Sequence, residues 1–423
     1  MTPIATVLRV GAVNAGKMLR SVLGAAGVAF VASAALIAQA PPASPAPRHI
    51  ATRQFTLVVK ADGSVVGWGR DPDGQAARPP SPSREIRVPV VIELPGKVLQ
   101  VALGGSTQYA LLENGTVVSW GTNDEGQLGN GPLGANGEPG TYPKPSITPV
   151  PVTGLTDIIQ IASGLKHAVA LRKDGTVWAW GRRDNGEIGD GPPKGLRPVS
   201  AIGPTRVPGL EHITQIAVDG SHNLALTADG RVLSWGANRY GELGNGTRET
   251  GWAPGQVATL DHVVAIAAGT GGGGSVSGAV RSDGTVWMWG TNASAQLGNG
   301  HGPVSPDDPG GRNPLPAQVP GVAGAKRLSI GDGHVAVLLS DGTLRLWGHD
   351  GWGQIGVNTS GSYHDSPMKV TGISSVADVY LGGPHSIAVR TDGSLWAWGK
   401  SFIENGPGLI GRNLHVPTRL ELN

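Results

Sequence analysis

The chain contains no cysteine. That absence excludes a disulfide framework, thiolate metal ligation and a cysteine nucleophile, so packing alone must hold the fold. Phenylalanine and tyrosine are scarce as well, with three and five copies in 423 residues, against twelve tryptophans. Charge is thin: 15% of residues, with a net of +2 and no long basic run. The first 40 residues hold three bases, Arg9, Lys17 and Arg20, and no acid. Without those three, 30 basic residues face 31 acidic ones. So neutral a body argues against nucleic acid as the main partner. Also missing are a nucleophile elbow, a phosphate-binding loop and a His-Glu-x-x-His pair. No catalytic residue, cofactor or metal is expected. The run Gly271–Gly274 has no following Lys-Ser/Thr and reads as a flexible four-residue insertion.

The three bases precede an uncharged apolar stretch, Ser21 to Ala40, ending in the small-x-small sequence Ala38-Gln39-Ala40. Residues 1–40 therefore read as a signal peptide or, if uncleaved, as a membrane anchor. Pro41 is an unfavourable first mature residue, which keeps the anchor alternative open. Residues 41–48 read as a Pro/Ala-rich linker. Either way the body, 49–423, is expected outside the cytoplasm, touching membrane only through an uncleaved anchor.

What is present is repetition. Trp-Gly occurs at Trp68, Trp120, Trp180, Trp235, Trp289, Trp347 and Trp398, and six residues before each Trp stands Asp-Gly or Asn-Gly. Such a pair between apolar runs signals a hairpin, because both residues tolerate positive φ. Val65, Val117, Val177, Val232, Val286, Leu344 and Leu395 each stand three residues before a Trp, an offset that makes both strand faces apolar. With an apolar strand upstream of each hairpin, every repeat supplies three or four short strands. Repeats of 51–60 residues fit one four-stranded blade each, and seven blades make a β-propeller.

After Trp-Gly a second turn recurs, as in Asn123-Asp124-Glu125-Gly126-Gln127-Leu128-Gly129 and Asn238-Arg239-Tyr240-Gly241-Glu242-Leu243-Gly244. The set Gly164, His167, Ala170, Leu171, Asp174-Gly175, Val177, Trp180-Gly181, Gly186 and Gly189 resembles the repeat of the regulator of chromosome condensation family. The resemblance covers residues 48–423 and implies a seven-bladed propeller. Exported bacterial-type members exist, so it allows an inhibitor or scaffold. A Pro-Val type segment such as Pro149–Val152 precedes later repeats but not His49, whereas the chain ends Val416–Leu422. The C-terminal strand is therefore expected to pair into the first blade and close the ring.

His167, His222, His334 and His385 share one repeat position. Equivalent positions on separate blades lie too far apart to share a metal, so imidazoles bonded to backbone are expected. Asp307-Asp308 reads as a solvated pair. Two positions in the second turn vary among repeats, and a fixed scaffold with varied tips is how a binding rim reads. The candidate binding residues are Asp124, Glu125, Asp184, Asn185, Arg239, Tyr240, Trp352 and Phe402. The expectation is an exported, monomeric, non-enzymatic propeller that binds a protein partner. The alternatives are nucleotide exchange on a small GTPase, which the family's nuclear founder suggests, and a carbohydrate-active enzyme with rim carboxylates.

Overall fold

The computed structural model describes residues 49–80, 82–136, 144–193, 200–271, 273–305, 312–359, 361–400 and 413–421. The segments expected as leader and linker, 1–40 and 41–48, and Asp307-Asp308 and Phe402 lie outside these. Among the described residues there is no helix. The strands form seven four-stranded antiparallel sheets, each running inner to outer in chain order, and the protein is a seven-bladed β-propeller.

The hairpin signal holds in all seven copies, with a refinement. Gly63 is left-handed (φ 84°) and its N–H donates to the Lys60 carbonyl, but Asp62 stays out of the left-handed region. The aspartate instead accepts bonds from the Ser64 N–H (2.9 Å) and hydroxyl (2.7 Å). It acts as a side-chain brace for the turn. Asn114, Asp174, Asp283, Asp341 and Asp392 brace their turns in the same way.

The repeated tryptophans fill the seams between blades, and all seven are at most 3% exposed. The indole N–H of Trp180 donates to the Gln127 carbonyl of the preceding blade at 2.9 Å. Trp120, Trp235, Trp289 and Trp347 repeat the bond to Gln75, Glu187, Glu242 and Gln296. Such bonds satisfy a polar group that burial would otherwise penalise. The second-turn glycine serves the same seam sterically: a Cβ on Gly129 would lie 2.6 Å from the Trp180 ring.

The C-terminal strand does not pair into the first blade. Asn413–Leu420 pairs with Leu395–Lys400 and completes blade seven, while blade one already has its own outer strand, Glu85–Ile92. The cause lies in the Pro-Val segments. Each folds back on the strand before it, as Ser146–Pro151 does on Val117–Gly121, and so ends a blade rather than starting one. The ring closes through side chains and backbone instead. Thr52 Oγ1 meets His385 Nε2 at 2.6 Å, and Ile387, Val389 and Leu395 share an apolar cluster with Ile50 and Leu57.

The histidines, too, differ from expectation. They bond to side chains of the next blade, not to backbone: His167 to Asn223 (2.8 Å), His222 to Ser277 (2.8 Å) and His334 to Ser386 (3.0 Å). Burial holds His222 and His334 at a pKa of about 3 and His385 at about 4, so they are neutral structural ties. Where a flexible insertion was expected, Gly271 pairs with Gly274. That pair lengthens a hairpin of blade five, where the Thr270 carbonyl accepts the Gly333 N–H of blade six at 2.7 Å.

Candidate binding face

In an antiparallel sheet of four strands, the connection from first to second strand and that from third to fourth emerge on the same side. The inner loops and the varied second turns therefore share one face of the propeller, and the Asp-Gly hairpins occupy the other. This placement follows from strand order alone.

At the centre of that face lies the mouth of the axial channel, a cavity of about 510 Å³ lined by inner-strand ends from all seven blades. Its rim is stitched by backbone bonds between neighbouring inner loops: Gly105 N–H to Leu165 O (3.0 Å), Leu165 N–H to Gly220 O (2.8 Å), Asp332 N–H to Gly382 O (3.0 Å). Across the opening the guanidinium of Arg53, on blade one, forms an ion pair with Asp219, on blade four. Burial pushes the Arg53 pKa down, and the nearby charge of Asp332 offsets part of that. A charged pair thus spans the ring instead of lying within one blade.

Around the mouth stand the tips. Asp124 is ion-paired to Lys166 of the next blade (2.5 Å) and accepts from Gln127 (2.6 Å). Burial opposes its charge, but these hydrogen bonds outweigh burial and hold its carboxyl below the usual range. Glu125 accepts from the Ser200 hydroxyl at 2.7 Å, so it ties blade two to blade three. Asn185 gives its side-chain and backbone N–H groups to Glu187 (3.1 and 2.8 Å), and Asp184 is exposed. Arg239 is exposed and lies over the half-buried Tyr240 ring, 5.4 Å from its centroid. Trp352 is 40% exposed. These residues lie at separate tips around the face and do not converge on one pocket.

One group does converge. Trp352, Tyr363 and His349 of blade six, Lys400 of blade seven, and Arg70 and Gln54 of blade one line a cavity of about 430 Å³ that opens beside the channel mouth. Lys400 Nζ stands 4.5 Å from the Trp352 ring centroid, and His349 packs edge-on to Tyr363 at 5.3 Å. Tyr363 is 40% exposed, like Trp352. Of these residues only Trp352 occupies one of the two varied turn positions that the sequence marks. The missed signal is the residue directly after each Trp-Gly. It reads Arg70, Thr122, Arg182, Ala237, Thr291, His349 and Lys400, which places adjacent basic side chains on blades six, seven and one.

Comparison with known proteins gives one answer. The RCC1-like domain matches residues 48–271, and the regulator of chromosome condensation (RCC1) repeat matches residues 283–338. The chain is 31% identical over 333 residues to the ultraviolet-B receptor UVR8 of Arabidopsis thaliana, covering 76% of this chain and 68% of that one. It is 27% identical to the human E3 ubiquitin-protein ligase HERC2 over 84% of this chain, spanning 7% of that protein. Among solved structures, human WBSCR16 superposes with a TM-score of 0.69 at 22% identity, over 86% of this chain and 94% of that one. Prp20p from Saccharomyces cerevisiae, described with its binding properties to Gsp1p and histones, gives 0.69 at 22% identity over 86% and 87%. At that identity the likeness concerns the fold.

Proposed function

The chain belongs to the regulator of chromosome condensation family, and from that premise we propose that it is a non-enzymatic binding propeller that captures a protein partner on the face bearing the channel mouth and the second turns. One observation carries the reading. The second turns and the strand starts beside them hold side chains of varied chemistry on a single face, among them two large aromatics, Trp352 and Tyr363, each 40% exposed. Aromatics that lose little entropy on contact are favoured anchors of protein interfaces.

We place this activity outside the cytoplasm, on the basic leader Arg9, Lys17 and Arg20 and the uncharged stretch that follows. The body then acts as a monomeric inhibitor or scaffold, with membrane contact only through an uncleaved anchor. The test is affinity capture with the tagged full chain from periplasm and culture medium, read by mass spectrometry, together with fractionation of the producing cells. A protein enriched from the exported fraction supports the reading. Cytoplasmic protein that accelerates nucleotide release from a small GTPase would replace it with the exchange alternative.

A further inference from the structure

The arc of blades six, seven and one differs from the rest of the face. Lys400 and Arg70 occupy equivalent positions on adjacent blades, where blades two, four and five have Thr122, Ala237 and Thr291, and where Arg182 of blade three is ion-paired to Glu187 at 2.8 Å. Turn geometry does not demand cations there. Arg70 is exposed and gives one N–H to Gln54 Oε1 at 2.8 Å; a guanidinium has five donors, so this bond orients it without exhausting it. Lys400 is half-buried beside the Trp352 ring. The exposed acid that lines this cavity, Asp332, also lines the channel mouth, so it stands at the edge between the two openings.

Two cations and two half-exposed aromatic rings therefore share a cavity of about 430 Å³, a volume that admits side chains but not a folded element. We infer that this arc binds an extended partner segment in which a carboxylate side chain stands beside a large apolar one. The carboxylate meets Arg70 and Lys400, and the apolar group packs on Trp352 and Tyr363. Charge-assisted bonds are the stronger kind, and the guanidinium fork matches a carboxylate in two-point geometry. The neighbouring rings supply apolar area where the charges supply orientation. This inference rests on the protein-binding reading and specifies the chemistry of its partner.

The test titrates the full chain into three fluorescein-labelled short peptides and follows anisotropy. One alternates glutamate with phenylalanine, one glutamate with serine, and one lysine with phenylalanine. The first is expected to bind at least tenfold more tightly than either of the others. Lys400→Glu, Arg70→Glu and Trp352→Ala are each expected to weaken it at least tenfold, and Lys400→Arg to restore it. Lys173→Glu, a charge reversal in a hairpin on the opposite face, is expected to leave it unchanged. Melting curves confirm that each variant is folded, and the affinity ratio between the peptides is read within each variant. Equal binding of the lysine peptide, no binding of the glutamate–phenylalanine peptide, or equal losses in Lys173→Glu would each overturn the inference. A captured protein whose affinity ignores all three arc variants also overturns it while leaving the general protein-binding reading standing.

Discussion

Thr52 and His385 stand 333 residues apart in the chain, yet their Oγ1 and Nε2 atoms lie 2.6 Å apart in the seam where the last blade meets the first. That contact replaces the strand exchange that would otherwise lock the ring. Thr52→Val keeps the shape and removes the hydroxyl, and Thr56, at 3.5 Å, is a poor substitute partner. The expected cost is about 1–3 kcal/mol, the range for leaving a buried polar group unsatisfied. Denaturant titration measures it, and an unchanged midpoint would remove this seam from the structure's supports.

The seam histidines make stability acid-sensitive. His222 and His334 are held at a pKa of about 3 and His385 at about 4, in each case chiefly by burial. Their ordinary value is 6.5, so below that pH the unfolded chain takes up protons that the folded chain refuses. The histidines' contribution is therefore complete above pH 6.5 and falls as pH drops toward 4, by about 1.4 kcal/mol per pH unit for each such group. Unfolding free energy measured from pH 7.5 to 4.5 should show the fall. His222→Val, which copies Val276 of blade five, should flatten the slope by about one group's share. An unaltered slope would mean that the imidazole is already charged in the seam.

Glu242 pulls the other way. It occupies the position held by Gln127, Gln296 and Gln354 in other blades and accepts the Tyr240 N–H at 2.7 Å. Glu187, at the same position, has Arg182 at 2.8 Å, but Ala237 stands where that arginine would be. Burial without a cation raises the Glu242 pKa from 4.5 to about 7. A raised carboxyl is a penalty that grows between pH 4.5 and 7 and is full above 7. Glu242→Gln keeps the acceptor for Tyr240 and removes the charge. It should stabilise the protein by about 3 kcal/mol at pH 8 and by little at pH 4.5. A gain that does not vary with pH would contradict this assignment.

Chain truncation separates the two ways of closing the ring. Deleting residues 413–423 strips blade seven and exposes the edge of Leu395–Lys400, whereas Glu85–Ile92 keeps its pairing in blade one. Hydrogen exchange should show lost protection at 395–400 with 65–70 spared, because an unpaired edge frees its backbone donors to solvent. Loss concentrated in blade one would restore the expectation drawn from the sequence.

That expectation failed for a physical reason. The Trp-Gly and Asp-Gly pairs made blade number legible, since both turn type and seam packing demand particular residues at fixed spacing. A segment such as Ser146–Pro151 carries no mark saying which neighbour it pairs with; that is settled only by the register of Val118 against Pro151. The face itself was half legible. Varied tips pointed to it, and Trp352 lies in the cavity, but Glu125 proved to be a tie to Ser200. Arg53 and Asp219 meet from 166 residues apart, a juxtaposition that only ring closure creates.

The tips should accordingly divide by what they touch. Trp352 presents a 40% exposed ring while its backbone N–H bonds to Gln354 Oε1 at 2.9 Å. Trp352→Ala leaves that turn bond in place, so it should cost about 2 kcal/mol or more of partner affinity and little stability. Tyr240→Ala and Arg239→Ala remove a stacked pair from a separate tip. They should weaken the same partner only if its footprint crosses the channel mouth to blade four. Glu125→Ala is different in kind. It breaks the Ser200 bond between blades and should lower the melting temperature, costing about 1 kcal/mol of stability, with affinity changed less than by Trp352→Ala. Calorimetric titration against the captured partner, beside thermal melts of each variant, resolves the two effects. If Glu125→Ala costs more affinity than Trp352→Ala at unchanged stability, the partner sits over blades two and three and the aromatic arc is not its anchor.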